Sequence, residues 1–133
     1  METVKFTVPG DPVAKGRPRV VTNANGDTRT YTPTKTVNAE ARILQAWADA
    51  GQPQIAGDVP IVIWVYFYLR KPKSAPKKRV YPHYKPDLDN LLKLVLDALT
   101  GWMWVDDKQI VNIATYKRYD VNPRIEIVAS RVI

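Results

Sequence analysis

The chain has 133 residues, 45% of them hydrophobic and 25% charged, a size and balance at which one domain buries a core without covalent staples. Lysine and arginine outnumber aspartate and glutamate by 20 to 13, leaving a net charge of +7, which favours a polyanionic partner, nucleic acid before an anionic membrane. There is no cysteine and a single histidine, His83, so disulfides, thiolate sites, cysteine nucleophiles and multi-histidine centres within one chain are excluded.

Val4, Phe6 and Val8 alternate with Thr3, Lys5 and Thr7 and predict a half-buried strand, ended by Pro9-Gly10. The first ten residues hold no apolar signal region. Residues 10–34 read as a long loop or loose hairpin turning at Asn25-Gly26; it carries Lys15, Arg17, Arg19 and Arg29 against Asp11 and Asp27. A helix follows to Ala50, with Val37, Ala41, Leu44 and Ala48 at helical spacing and Gly51 as its stop. Ile61–Leu69 is β-branched and aromatic without alternation, which predicts a central strand buried on both faces. It is the longest apolar run and is too short to cross a bilayer as a helix. The expected location is cytoplasmic, with no membrane partner.

Residues 70–85 hold Arg70, Lys71, Lys73, Lys77, Lys78, Arg79 and Lys85 with no acid. Pro72, Pro76, Pro82 and Pro86 in or beside the stretch predict an extended loop. Leu88–Leu99 is a helix with Leu88, Leu91, Leu92, Val95, Leu96 and Leu99 inward, closed by Thr100-Gly101. Gln109–Tyr119 and Arg124–Val132 are two strands joined by a turn. The order β-α-β-α-β-β predicts a single α/β (α+β) domain over residues 1–133, with two main helices on one mixed sheet.

In so basic a chain the clustered acids stand out. Asp87 and Asp89 open the second helix, where the macrodipole favours negative charge, and Asp106-Asp107 follows its end. Magnesium takes hard oxygen ligands, commonly one or two carboxylates with water or phosphate completing the shell. Carboxylates from separate elements can hold it for phosphodiester hydrolysis. Asp87, Asp89 and Asp107 are the expected ligands, converging on one ion, with Asp106 the competitor of Asp107. Lys93, four residues after Asp89 on the same helical face, can bind a phosphate oxygen or the leaving oxyanion. Each piece also has a plain reading: Asp87 as a helix cap, Asp89–Lys93 as a helical salt bridge, Asp106-Asp107 as turn residues. An EF-hand beginning at Asp87 is excluded, because Leu92 and Ala98 stand where glycine and glutamate belong. No phosphate-binding glycine loop is present.

Lys-Pro-Asp-Leu-Asp-Asn-Leu-Leu-Lys (85–93), Leu-Asp-Ala-Leu-Thr-Gly (96–101) and Trp-Val-Asp-Asp-Lys-Gln-Ile (104–110) closely resemble the RusA family of Holliday-junction resolvases. Pro-Val-Ala-Lys-Gly-Arg-Pro-Arg (12–19) and Tyr-Thr-Pro-Thr-Lys-Thr (31–36) resemble its phage and prophage branch; residues 37–84 add little beyond element order. The resemblance implies a homodimeric endonuclease dependent on magnesium, or manganese in its place, that nicks two opposed strands of a four-way DNA junction. It implies Asp87, Asp89 and Asp107 as acidic catalytic residues and Lys93 as the catalytic lysine, with no small-molecule cofactor. A junction and a two-fold dimer share symmetry. Trp102, Met103 and Trp104 belong either to that interface or to the monomer core.

Lys15, Arg17, Arg19, Lys71, Lys73, Lys77, Lys78, Arg79 and Lys85 are the expected DNA contacts. Tyr31, Tyr81 and Tyr84 are placed to stack on unpaired bases, and His83 is a surface or phosphate-contacting residue. A noncatalytic DNA-binding module and a nuclease for other branched DNA are the competing readings.

Overall fold

The computed structural model describes residues 3–132. Strands β1 (Thr3–Pro9), β4 (Ile61–Leu69), β5 (Ile110–Tyr119) and β6 (Arg124–Arg131) form one sheet in the order β1-β6-β4-β5. β4 pairs antiparallel with β6 and parallel with β5, so the sheet is mixed. Helices α1 (Thr34–Asp49) and α2 (Leu88–Leu99) lie against one face. The expected order β-α-β-α-β-β and the single α+β unit are present. Inserted between β1 and α1 is a hairpin of β2 (Arg19–Thr22) and β3 (Thr28–Tyr31). Its turn closes where Gly26 takes a φ of +83°, a left-handed value glycine reaches without steric cost.

β4 departs from expectation. Ile61, Ile63, Val65, Phe67 and Leu69 are buried under the helices, whereas Val62, Trp64, Tyr66 and Tyr68 are only half-buried. Both helices sit on one side, so the other face is bare. Its aromatic rings hide the alternation in the sequence, and they shelter one another: Tyr66 stacks on Tyr116 with centroids 4.4 Å apart, and the Tyr68 and Tyr116 hydroxyls meet at 2.6 Å. Burial, then the bond to Tyr116, pushes the Tyr68 hydroxyl up to about 12, so it stays protonated and able to donate.

Both helices also bury faces rotated from those expected. α1 buries Thr36, Ala39, Ile43 and Trp47, while Val37 and Ala41 face solvent. Both sets have helical spacing; the face holding Ile43 and Trp47 removes more apolar area from water. α2 buries Leu91, Leu94, Val95, Ala98 and Leu99, leaving Leu88, Leu92 and Leu96 half-covered.

Met103 and Trp104 enter the core, and Trp102, 55% exposed, packs its ring edge-on against Trp47 at 6.1 Å. The tryptophans around the acidic pair are thus divided between core and surface. No helix among the described residues is long and apolar enough to cross a membrane.

Candidate functional site

β4, α2 and β5 form a parallel crossover, which sets the two acidic pairs. The end of the sheet where β4 and β5 finish receives the start of α2. There the Lys117 ammonium, projecting from β5, donates to the carbonyls of Tyr84 (2.7 Å) and Pro86 (2.8 Å). These bonds anchor the entry to α2 directly before Asp87, following a cis Lys85–Pro86 peptide.

Asp87 is the residue before the first turn of α2, yet its side chain makes no capping bond. Asp89 lies in that turn, and its Oδ1 accepts only from the adjacent Asn90 amide at 3.0 Å. Both residues are exposed. An aspartate at this position ordinarily caps its helix for about 1 kcal/mol; Asp87 leaves that unused and keeps its oxygens available. Lys93 is exposed and reaches Asp97 at 3.7 Å rather than Asp89, so its ammonium rests one turn away from the acids.

Asp106-Asp107 lies at the opposite end of α2. Asp106 precedes a 3₁₀ turn, Asp107–Gln109, and its carboxylate accepts the Lys108 amide at 3.0 Å. That backbone bond first, then contacts to Asp107 and Lys108, holds the Asp106 carboxyl below the usual carboxylate range. Asp106 is therefore the structural member of the pair, and Asp107 is exposed beside it.

Gln109 fastens the turn. Its Oε1 accepts from the amides of Val105 (3.1 Å) and Asp106 (3.0 Å), and its Nε2 donates to the carbonyls of Ala56 (2.6 Å) and Val59 (3.1 Å). Gln109 is 7% exposed. Gln109→Leu leaves four part-buried backbone groups without their partner and is expected to lower the unfolding free energy by about 1–3 kcal/mol, read from the urea midpoint.

Asp107 does not join Asp87 and Asp89 within one chain. α2 has twelve residues, and the strand from Ile110 to Lys117 retraces its length, so the separation is on the order of 20 Å. Among the described residues no group of three or more His, Asp or Glu side chains is placed to hold a metal ion. Within one chain the topology keeps the three expected ligands apart: a parallel crossover delivers the residue before β5 to the end of the sheet opposite the start of α2.

The donor set at the start of α2 nevertheless fits magnesium. Asp87 offers a hard carboxylate with no hydrogen-bond partner and Asp89 one bonded only at Oδ1 by the Asn90 amide, and such an ion takes water and phosphate for the rest.

The basic residues divide. Arg17, Arg19, Lys73, Lys77, Lys78 and Lys85 are exposed; the Arg79 guanidinium lies 3.9 Å over the Tyr84 ring, and Lys71 bonds the Lys77 carbonyl at 3.3 Å. Lys15 turns inward instead, contrary to its expected role at DNA. Its ammonium meets Glu40 of α1 at 3.0 Å and Asp97 of α2 at 3.3 Å, and its backbone N–H bonds the Asn90 carbonyl at 3.0 Å. Partial burial pulls its pKa down, but the two carboxylates outweigh that and leave it above the ordinary lysine value. Tyr31, Tyr81 and Tyr84 are 40%, 65% and 54% exposed. The His83 ring lies against Tyr84, its Nδ1 3.0 Å from the Tyr81 carbonyl. Sequence reading missed Lys117, Asp97 and Glu40; the lone acid in Leu-Asp-Ala-Leu was the available signal for Asp97.

The chain is 35% identical, over 99% of both lengths, to YqaN of Bacillus subtilis strain 168, a protein described as uncharacterized. Residues 9–129 match the family model for the endodeoxyribonuclease RusA. That span takes in the basic hairpin, both helices and both acidic pairs, leaving out β1 before Pro9 and the last residues of β6, and the chain belongs to the RusA endodeoxyribonuclease family.

Proposed function

We propose that this protein is a Holliday-junction endonuclease that acts as a homodimer, uses magnesium, and makes paired nicks. Family membership supports the endonuclease. The observation that carries the metal reading is the exposed pair of carboxylates at Asp87 and Asp89, neither of them in an ion pair, close to Lys85 and the basic groove residues. Acids there repel phosphate unless a cation stands between.

Asp87 and Asp89, with Asp107, would hold a magnesium ion, which would supply charge for the phosphoryl oxygens and lower the pKa of an attacking water. The chain's own residues do the rest. Lys93, only weakly held by Asp97, swings one turn towards the acids to meet a phosphate or leaving oxygen. Arg17, Arg19, Lys85 and the cations of the 70–85 loop hold the strand. Lys117 fixes the backbone that carries Asp87.

The separation of Asp107 supports the dimer. β5 is an edge strand with one neighbour, β4, so its outer backbone edge is a template for pairing. On this strand Val111 is 64% and Ile113 39% exposed. Two β5 edges paired antiparallel about a two-fold axis bring the start of one strand to the end of the other. Asp107 then lies at the second protomer's Asp87 and Asp89, and each site is built from two chains.

With magnesium, the protein is expected to nick a four-way junction in preference to flaps, duplex and single strands of matched length, and to lose all cutting in EDTA. Equal cutting of plain duplex would sink the structure-selective reading.

A further inference from the structure

Next to Asp87 lies a groove of about 630 Å³ between the loop that carries Gly16–Arg19, the first turn of α1, and Lys85-Pro86. Resting on the nuclease reading above, we propose that this groove binds one unpaired DNA strand and hands its next phosphate to Asp87 and Asp89. It thereby selects DNA whose strands separate at a branch.

Charge identifies the ligand. Arg17, Arg19, Lys35 and Lys85 line the groove, and no acid does. No described carboxylate lies within ion-pairing distance of any of the four. Lys15, their neighbour in sequence, is neutralised by Glu40 and Asp97 and lies outside the lining. Four unpaired cations in a concavity repel one another until a polyanion enters. Lys35, within the 31–36 motif, is not among the DNA contacts expected from the sequence.

Shape limits what enters. Pro12, Pro18, Pro33 and Pro86 form rigid walls. Gly16 lies on the first turn of α1, its amide 3.0 Å from the Thr36 hydroxyl; a Cβ there would sit 2.6 Å from that oxygen. The loop is thus seated without slack and the floor is fixed. The volume falls in the ~300–1,000 Å³ range of sites for small molecules, enough for a short run of single strand and too small to enclose two paired strands. Tyr31, opposite Arg19 in the hairpin ladder and 40% exposed, offers a ring face to an unpaired base, a sequence-tolerant contact. Each phosphate held on a single strand adds about 0.7 to the slope of log affinity against log salt.

The test is binding of a short oligothymidylate in EDTA over a salt series, against a blunt duplex of equal charge. The single strand should bind more tightly. Lys35→Ala and Lys85→Ala should each flatten its slope by about 0.7, and Lys15→Ala should leave the slope unchanged. Preference for the duplex, or an unchanged slope in both Lys35→Ala and Lys85→Ala, overturns the groove. Wild-type protein that cuts no branched DNA, yet binds oligothymidylate in this Lys35-dependent way, supports the groove and overturns the nuclease reading.

Discussion

Asp89→Asn is expected to cut a four-way junction at least about a hundredfold more slowly than the wild-type protein, the scale on which removal of one preorganised electrostatic group acts. Binding in EDTA should be equal or tighter. The substitution keeps shape and removes one negative charge from a surface that must meet phosphate, so affinity and cleavage move apart. A DNA-binding module whose acids merely serve the helix predicts no such split. Misfolding does not imitate the result: an acid in a first turn contributes about 0.3–1 kcal/mol through the helix dipole, little against a stability of about 5–15 kcal/mol. Asp87→Asn should behave in the same way, because Asp87 makes no capping bond to lose. The measurement is a single-turnover nicking rate beside a binding isotherm for each variant. Normal cutting by both variants would remove the metal from the start of α2.

How far the sequence foretold this arrangement depends on the scale of the feature. Element order was legible because Ile61–Leu69 is too apolar and β-branched for a loop, and Leu88–Leu99 carries helical spacing between clear stops. Helix faces were less so. In α1 two apolar stripes compete, and only the partner surface, with Ile43 and Trp47 filling it, selects one. The bare side of β4 was hidden because Trp64, Tyr66 and Tyr68 are apolar enough to pass for core. At the site, Asp87 and Asp89 were legible as a local pair at a helix start. The place of Asp107 was not, since it depends on β5 running parallel to β4, a long-range pairing with no local signature. Lys15 shows the same limit: in the sequence it is one more cation in a basic loop, and only the packing of α1 on α2 brings Glu40 and Asp97 to it.

Two inactive proteins mixed together should regain activity. If each site takes Asp87 and Asp89 from one chain and Asp107 from the other, neither Asp89→Asn nor Asp107→Asn homodimers hold a complete site. A mixed dimer holds one: the Asp107→Asn chain keeps Asp87 and Asp89, and the Asp89→Asn chain supplies Asp107. The other site of that dimer carries both substitutions. With equal amounts and free exchange, half of the dimers are mixed, so about a quarter of the wild-type number of sites returns. Each restored dimer has a single live site and therefore leaves nicked junctions rather than resolved duplexes. Sites built within one chain predict no recovery at any ratio, because every protomer then carries its own lesion. The separation of about 20 Å along α2 makes the two outcomes mutually exclusive. Mixing Asp87→Asn with Asp89→Asn is the matched control, and it should stay silent, since those two residues stand on the same chain at the same helix start.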